Sequence, residues 1–153
     1  MDFFQAIRNG NVELVKSILN TDKHLASKAD QRGFTPLVMA TYSDQLEIVK
    51  LILEAGADVN LKVGRGNSAL MGVCMKGYLP MVELLVDHSA IIDAQNETGM
   101  TALMYAAMFG HRQVVQFLVD RGAEITRSNA EGKTAGDHAA AKGFNEISEM
   151  LQN

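Results

Sequence analysis

A single period constrains this chain more than any other feature. Gly33, Gly66, Gly99 and Gly132 stand 33 residues apart, and each opens a similar block. Gly33-Phe34-Thr35-Pro36-Leu37 returns as Gly66-Asn67-Ser68-Ala69-Leu70, then as Gly99-Met100-Thr101-Ala102-Leu103. A weaker copy follows at Gly132-Lys133-Thr134-Ala135-Gly136. A second register of copies, rich in Ile, Val and Leu, occupies residues 46–53, 79–86 and 112–119. A chain built of such units buries its apolar faces between neighbours, as a stack of interfaces.

Each block predicts two helices. Thr35, Ser68, Thr101 and Thr134 can cap the first, their hydroxyls accepting backbone N–H groups that have no partner within the helix. Pro36 falls in the first turn, where its missing donor costs least. The first helices are expected to end near Tyr42, Met75, Met108 and Ala141, under three turns each and marginal in isolation. The second helices are expected over about residues 45–54, 78–87 and 111–120, with Pro80 tolerated near the start of one. Gly56 and Gly122 can close helix ends with a positive φ. Ser89 holds the corresponding place, where a left-handed backbone costs a residue with a Cβ about 1 kcal/mol. The polar residues and glycines between blocks suit extended turns, with no further helix.

The expected organisation is one repeat domain over 1–153. Residues 1–29 would form an N-terminal cap, 30–132 three internal repeats with their turns, and 133–153 a truncated C-terminal cap. Terminal units need solvent-compatible outer sides, and Arg8, Lys16, Glu146 and Glu149 fit that need.

Composition removes several function classes. A net charge of −4 gives no general electrostatic reason to bind nucleic acid. The single cysteine, Cys74, excludes an internal disulfide and leaves too few thiols for a cysteine-based zinc site. No apolar run approaches the roughly 18 residues of a membrane span, and the N-terminus lacks the apolar core of a signal peptide. A soluble cytoplasmic protein without cofactor or metal is expected.

The repeated blocks resemble a known family. Gly33-Phe34-Thr35-Pro36-Leu37, Leu46-Glu47-Ile48-Val49-Lys50 and Gly56-Ala57-Asp58-Val59-Asn60 look like successive pieces of an ankyrin repeat. Thr101-Ala102-Leu103, Ala106-Ala107, Gly110-His111 and Gly122-Ala123 resemble the same motif again. The resemblance covers essentially the whole chain. It implies an all-α solenoid of L-shaped helix–turn–helix units with short β-hairpin-like loops. It also implies protein binding through the hairpin tips and the concave face of the first helices. Two departures stand out. Where the family usually has a histidine two residues after the proline, this chain has Val38, Met71, Met104 and Asp137. Where it usually has glycine before histidine between the helices, the first internal repeat has Asp44-Gln45.

By that resemblance the contact ribbon comprises Arg32, Phe34, Tyr42, Arg65, Asn67, Met75, Lys76, Met100, Met108 and Phe109. The Phe, Tyr and Met side chains would be anchors and the cations a rim, because rigid aromatic and adaptable thioether groups bury area at modest entropic cost. Some of these apolar groups could instead pack between repeats. Met71 and Met104 are expected in the packing, with Met75 and Met108 nearer the open edge. Glu83, Asp87, Asp93 and Glu97 form an acidic stretch that suits solvation first and a basic partner second.

Nothing points to catalysis. Cys74 matches the small residues Ala107 and Ala140 and reads as buried and structural. His111 belongs to the connection between helices. Asp137 and His138 are adjacent on a helix, so they point in different directions. Gly64-Arg65-Gly66 lacks the strand–loop–helix context of a phosphate loop. The expected function is therefore a non-enzymatic module that binds or masks a protein partner. Self-assembly or scaffolding is the alternative, and a catalytic accessory subunit ranks below it. A monomer is expected, with a homo-oligomer left open.

Overall fold

In the computed structural model, which describes residues 2–152, the period becomes two parallel rows of short helices. Met1 and Asn153, the ends of the expected caps, lie outside the described residues. The inner row is α1 (Phe3–Arg8), α3 (Pro36–Tyr42), α5 (Ala69–Lys76), α7 (Ala102–Met108) and α9 (Ala135–Ala141). The outer row is α2 (Val12–Thr21), α4 (Leu46–Glu54), α6 (Leu79–Asp87), α8 (Arg112–Asp120) and α10 (Asn145–Met150). Each inner helix packs on its own outer partner and on the next inner helix, while α2, α4, α6 and α8 pack in sequence behind them.

The caps form as their chemistry dictates. The hydroxyls of Thr35, Ser68, Thr101 and Thr134 accept from the backbone N–H of Val38, Met71, Met104 and Asp137. Pro36 and Pro80 lie in the first turns of α3 and α6. Outer helices begin one residue later than expected, because Gln45, Tyr78 and His111 serve as N-cap residues. A short 3₁₀-helix at Lys23–Ser27 is a correction, since this connection was expected to be extended. The Asp22 carboxylate accepts from the His24 N–H and seeds the turn, and Ala26 buries itself beneath it.

The interior is almost wholly aliphatic. Ile48, Val49 and Ile52 of α4, Met81, Val82 and Leu85 of α6, and Val114, Val115 and Leu118 of α8 are buried. Each outer helix thus offers one apolar face to the stack. Met71 and Met104 are buried where the family places its histidine. The loops are tied to one another by backbone bonds, Glu97 N–H to the Arg65 carbonyl and Ala130 N–H to that of Thr98, both at 3.0 Å.

Side chains shape the loops. Asp30, Asn96 and Asn129 each accept two backbone N–H bonds through Oδ1, folding the turn that follows. Such turns need a short polar side chain at this register. The equivalent residue in the remaining loop is Val63, which instead pairs its backbone with Asn67. Among the described residues, strand-like pairing is limited to isolated bridges at Val63–Asn67 and Ser128–Thr134. No helix among them is long and apolar enough to cross a membrane.

Candidate functional site

The inner helices and loop tips leave an edge on which several large apolar groups face water. Tyr42 is 78% exposed, Phe109 50% and Phe34 38%. Such exposure shows that these three side chains are not packed between repeats, where they would be covered. Tyr42 and Phe109 stand at the ends of α3 and α7, where the helix axis carries them past the stack.

Five of the ten expected contact residues share one groove. Phe34, Tyr42, Asn67, Met75 and Lys76 line a hollow of about 180 Å³ between α3 and α5. Lys76 is already engaged at its rim. Its Nζ lies 2.8 Å from Asp44 Oδ1, donates to the Tyr42 carbonyl at 2.8 Å, and sits 5.5 Å from the centre of the Tyr42 ring. The lysine therefore holds the end of α5 against the α3–α4 turn and orients Tyr42. Asn67 is half-buried and accepts from Asn96 Nδ2 at 2.8 Å, linking neighbouring loops. Met75 and Met108 are half-buried, while Arg32 and Arg65 are exposed at loop tips.

Met100 is a correction. It was expected as an exposed anchor, yet it is 6% exposed. Its N–H binds Asn96 Oδ1, and its sulfur accepts from Asn129 Nδ2 at 3.4 Å. The Asn96 turn folds the thioether inward, so Met100 is part of the packing between loops.

Groove-lining residues absent from the expected set are Val38, Thr41, Val63, Ser68, Ala69, Gly72 and Val73. One signal was legible. Gly72 lies inside a helix, where α3, α7 and α9 carry Met39, Tyr105 and His138 and α1 carries Ala6. A larger hollow, about 560 Å³, lies beside α1 and includes Phe4, Leu25 and Arg32. Its lining mixes these with Asp2, Arg8, Lys28 and Asp30, and it contains no other residue of the expected ribbon.

The chemistry of the remaining polar groups is structural. Cys74 is fully buried, and burial pushes its thiol far above the usual cysteine range, which disfavours the reactive thiolate. Asp137 accepts from the Thr134 N–H in a reciprocal capping arrangement, which holds its carboxyl below the usual range. His138 lies 3.2 Å from Asn129 Nδ2, and partial burial lowers its pKa against the opposing pull of Asp137. Among the described residues, no group of three or more His, Cys, Asp or Glu side chains could hold a metal ion.

Two stacked rows of short helices, with α3, α5, α7 and α9 of the inner row capped by Thr or Ser, and with looped tips, define a class, the solenoid repeat proteins. The model for ankyrin repeats (3 copies) matches residues 3–63 and 60–129, and the chain belongs to that family. Ankyrin repeats generally mediate protein–protein interactions. The chain is 42% identical over 59 residues to the ankyrin repeat and SAM domain-containing protein 6 of Danio rerio, covering 39% of this chain and 8% of that protein. It is 34% identical over 70 residues to the DNA-binding protein RFXANK of Homo sapiens, covering 46% of this chain and 27% of that protein. A 63-residue stretch is 35% identical to the palmitoyltransferase akr1 of Emericella nidulans, 41% of this chain and 8% of that protein. The chain thus matches only a small part of each relative's length.

Proposed function

We propose that this protein is a non-enzymatic binding module that captures and masks a cytoplasmic protein partner through its inner-helix ribbon. The observation that carries this reading is the exposure of Phe34, Tyr42 and Phe109 along one edge of the stack. Large aromatic groups left in water are available to a partner at low entropic cost, and such groups dominate binding energy at protein interfaces. The relatives support the same reading. Their names describe different proteins, a SAM-domain protein, a DNA-binding protein and a palmitoyltransferase, while the stretch of this chain that they match is built of repeats. A shared interaction surface accounts for that pattern more simply than a shared reaction.

Masking needs only one occupied face, whereas an adaptor needs two. The test is capture of partners from the native cytoplasm, followed by titration with purified protein. The Phe34→Ala/Phe109→Ala protein keeps its helical circular dichroism and binds the captured partner at least tenfold more weakly. Unchanged affinity overturns the ribbon. Loss of the helical signal assigns these side chains to the core. Concentration-dependent self-association that disappears in the same variant favours assembly of copies in place of capture.

A further inference from the structure

The groove between α3 and α5 lies where two positions that are bridged in the two following repeats hold residues unable to bridge, as Asp30 and Met39 also are in the preceding repeat. In the next repeat, Asn96 Nδ2 in the loop donates to the Tyr105 hydroxyl on α7 at 2.9 Å. One repeat further, Asn129 Nδ2 meets His138 Nε2 on α9 at 3.2 Å. Each pair spans the space between a loop and its inner helix. The same two positions in the repeat that contains α5 are Val63 and Gly72. The loop residue is apolar and the helix residue has no side chain, so the bridge is missing and a notch stands in its place.

Gly72 has no internal justification. It is helical, without the positive φ that calls for glycine, and a Cβ placed there meets nothing within 4 Å. Glycine is the least favourable residue for a helix interior after proline. Packing therefore does not demand it, and helix propensity opposes it. The absence of a side chain opens a floor bounded by Val38, Val63 and Val73, with Phe34 and Tyr42 on one wall.

Size and charge identify what fits. At about 180 Å³ the notch itself suits a single side chain, and a second hollow of about 260 Å³, lined by Phe34, Val38, Met39 and Tyr42, shares its α3 wall. Arg65 stands in the loop between two groove-lining residues, Val63 and Asn67, while Arg32, two residues before Phe34, lines the hollow beside α1. Both are exposed, and neither makes an ion pair among the described residues. Free guanidinium groups on the loops that flank an apolar slot complement carboxylates.

We propose that the notch over Gly72 receives one large apolar side chain, aromatic or leucine, from an acidic peptide segment of another protein, whose carboxylates meet Arg32 and Arg65. This rests on the ribbon reading above and adds to it the chemistry of the occupant. Glycine at position 72 is retained for binding at the expense of helix stability.

The probe is a phage-displayed library of random 12-residue peptides, selected on the whole protein and then measured individually by fluorescence polarisation. Selected peptides are acidic and share one large apolar residue whose replacement by Ala abolishes binding. The Val63→Asn/Gly72→Tyr protein, which copies the Asn96–Tyr105 bridge, folds and binds these peptides at least tenfold more weakly. Arg32→Gln/Arg65→Gln weakens them several-fold and flattens the salt dependence. Gly72→Ala raises Tm by roughly 2–4 °C, as expected for about 1 kcal/mol in a chain of this size.

No enrichment over an empty surface, a basic consensus, or peptides held equally by the Val63→Asn/Gly72→Tyr protein overturns the proposal. Peptides lost with Phe109→Ala but kept by that double variant reject the notch and leave the ribbon intact. Self-association in sedimentation velocity that the double variant abolishes makes the occupant a second copy and overturns the proposal. If Gly72→Ala lowers Tm, the glycine serves the fold, which overturns the proposal.

Discussion

The His111 imidazole spans two repeats, its Nε2 donating to the Met75 carbonyl at 2.8 Å while its ring covers Gly77. That bond satisfies a carbonyl at the end of α5 that has no partner within the helix. The ring can approach so closely because residue 77 has no Cβ, and the backbone there is left-handed, φ 76°. Two costs therefore fall on Gly77→Ala, a strained backbone of about 1–2 kcal/mol and a displaced ring. Urea unfolding of Gly77→Ala, His111→Ala and the double variant separates them. The penalty of Gly77→Ala is expected to shrink toward the backbone contribution once the ring is gone. Equal penalties in both backgrounds would mean that the ring does not press on position 77.

Ser89 offers the opposite experiment. Its φ of 70° is left-handed, and it is exposed beyond the end of α6. Ser89→Gly removes the backbone strain at the expense of chain entropy in the unfolded state, and is expected to stabilise by up to about 1 kcal/mol. Asp44, at φ 56°, is a contrasting case because its carboxylate binds Lys76. Asp44→Gly relieves strain and loses an exposed ion pair, which offset each other to within about 1 kcal/mol. Chemical denaturation of the two variants side by side checks the contrast.

Most of this architecture is readable in the sequence because the period acts on local chemistry. Thr35, Ser68, Thr101 and Thr134 cap their helices through bonds to residues three positions away, so neighbours in the chain decide them. The 3₁₀-helix at Lys23–Ser27 escaped because Asp-Lys-His carries no helical periodicity, and a single turn depends on one carboxylate. Met100 was misplaced for a different reason. A loop residue reads as exposed until the Asn96 turn and the Asn129 side chain from the next repeat fold around it. Gly72 inside a helix was the legible sign of the groove, while Val63 acquires meaning only when its loop is compared with those of the following repeats.

Cys74 supplies a probe of the whole stack. It is fully buried on α5, and burial holds its thiol protonated. Thiol reagents are expected to label native protein only through opening of the central repeats, so labelling accelerates with urea in step with unfolding. Rapid labelling in native buffer would show that α5 frays independently.

The C-terminal pair carries a predictable acid response. His138 titrates below its ordinary value of 6.5, chiefly through burial. The unfolded chain then binds the proton more readily, so this stability is complete above about pH 6.5 and declines as pH falls through the lower folded value. Asp137 is lowered chiefly by the Thr134 backbone hydrogen bond. Its contribution is present above the ordinary carboxylate pKa of about 3.9 and disappears as pH falls through the folded value. Denaturation from pH 8 to 3 should show a shallow loss that His138→Gln removes and a later one that Asp137→Asn removes. Histidine NMR titration placing His138 above 6.5 would reverse the first sign.

The central claim is that one edge of the stack, and not its whole surface, meets a partner. Affinity of the captured partner for two double variants tests it most directly. Phe34→Ala/Phe109→Ala alters the ribbon, while Leu61→Ala/Ile91→Ala alters exposed apolar residues outside it. With both proteins retaining wild-type helical signal, the first is expected to raise Kd at least tenfold and the second to leave it within twofold. Equal losses from both pairs, or a loss from the second alone, would contradict the account.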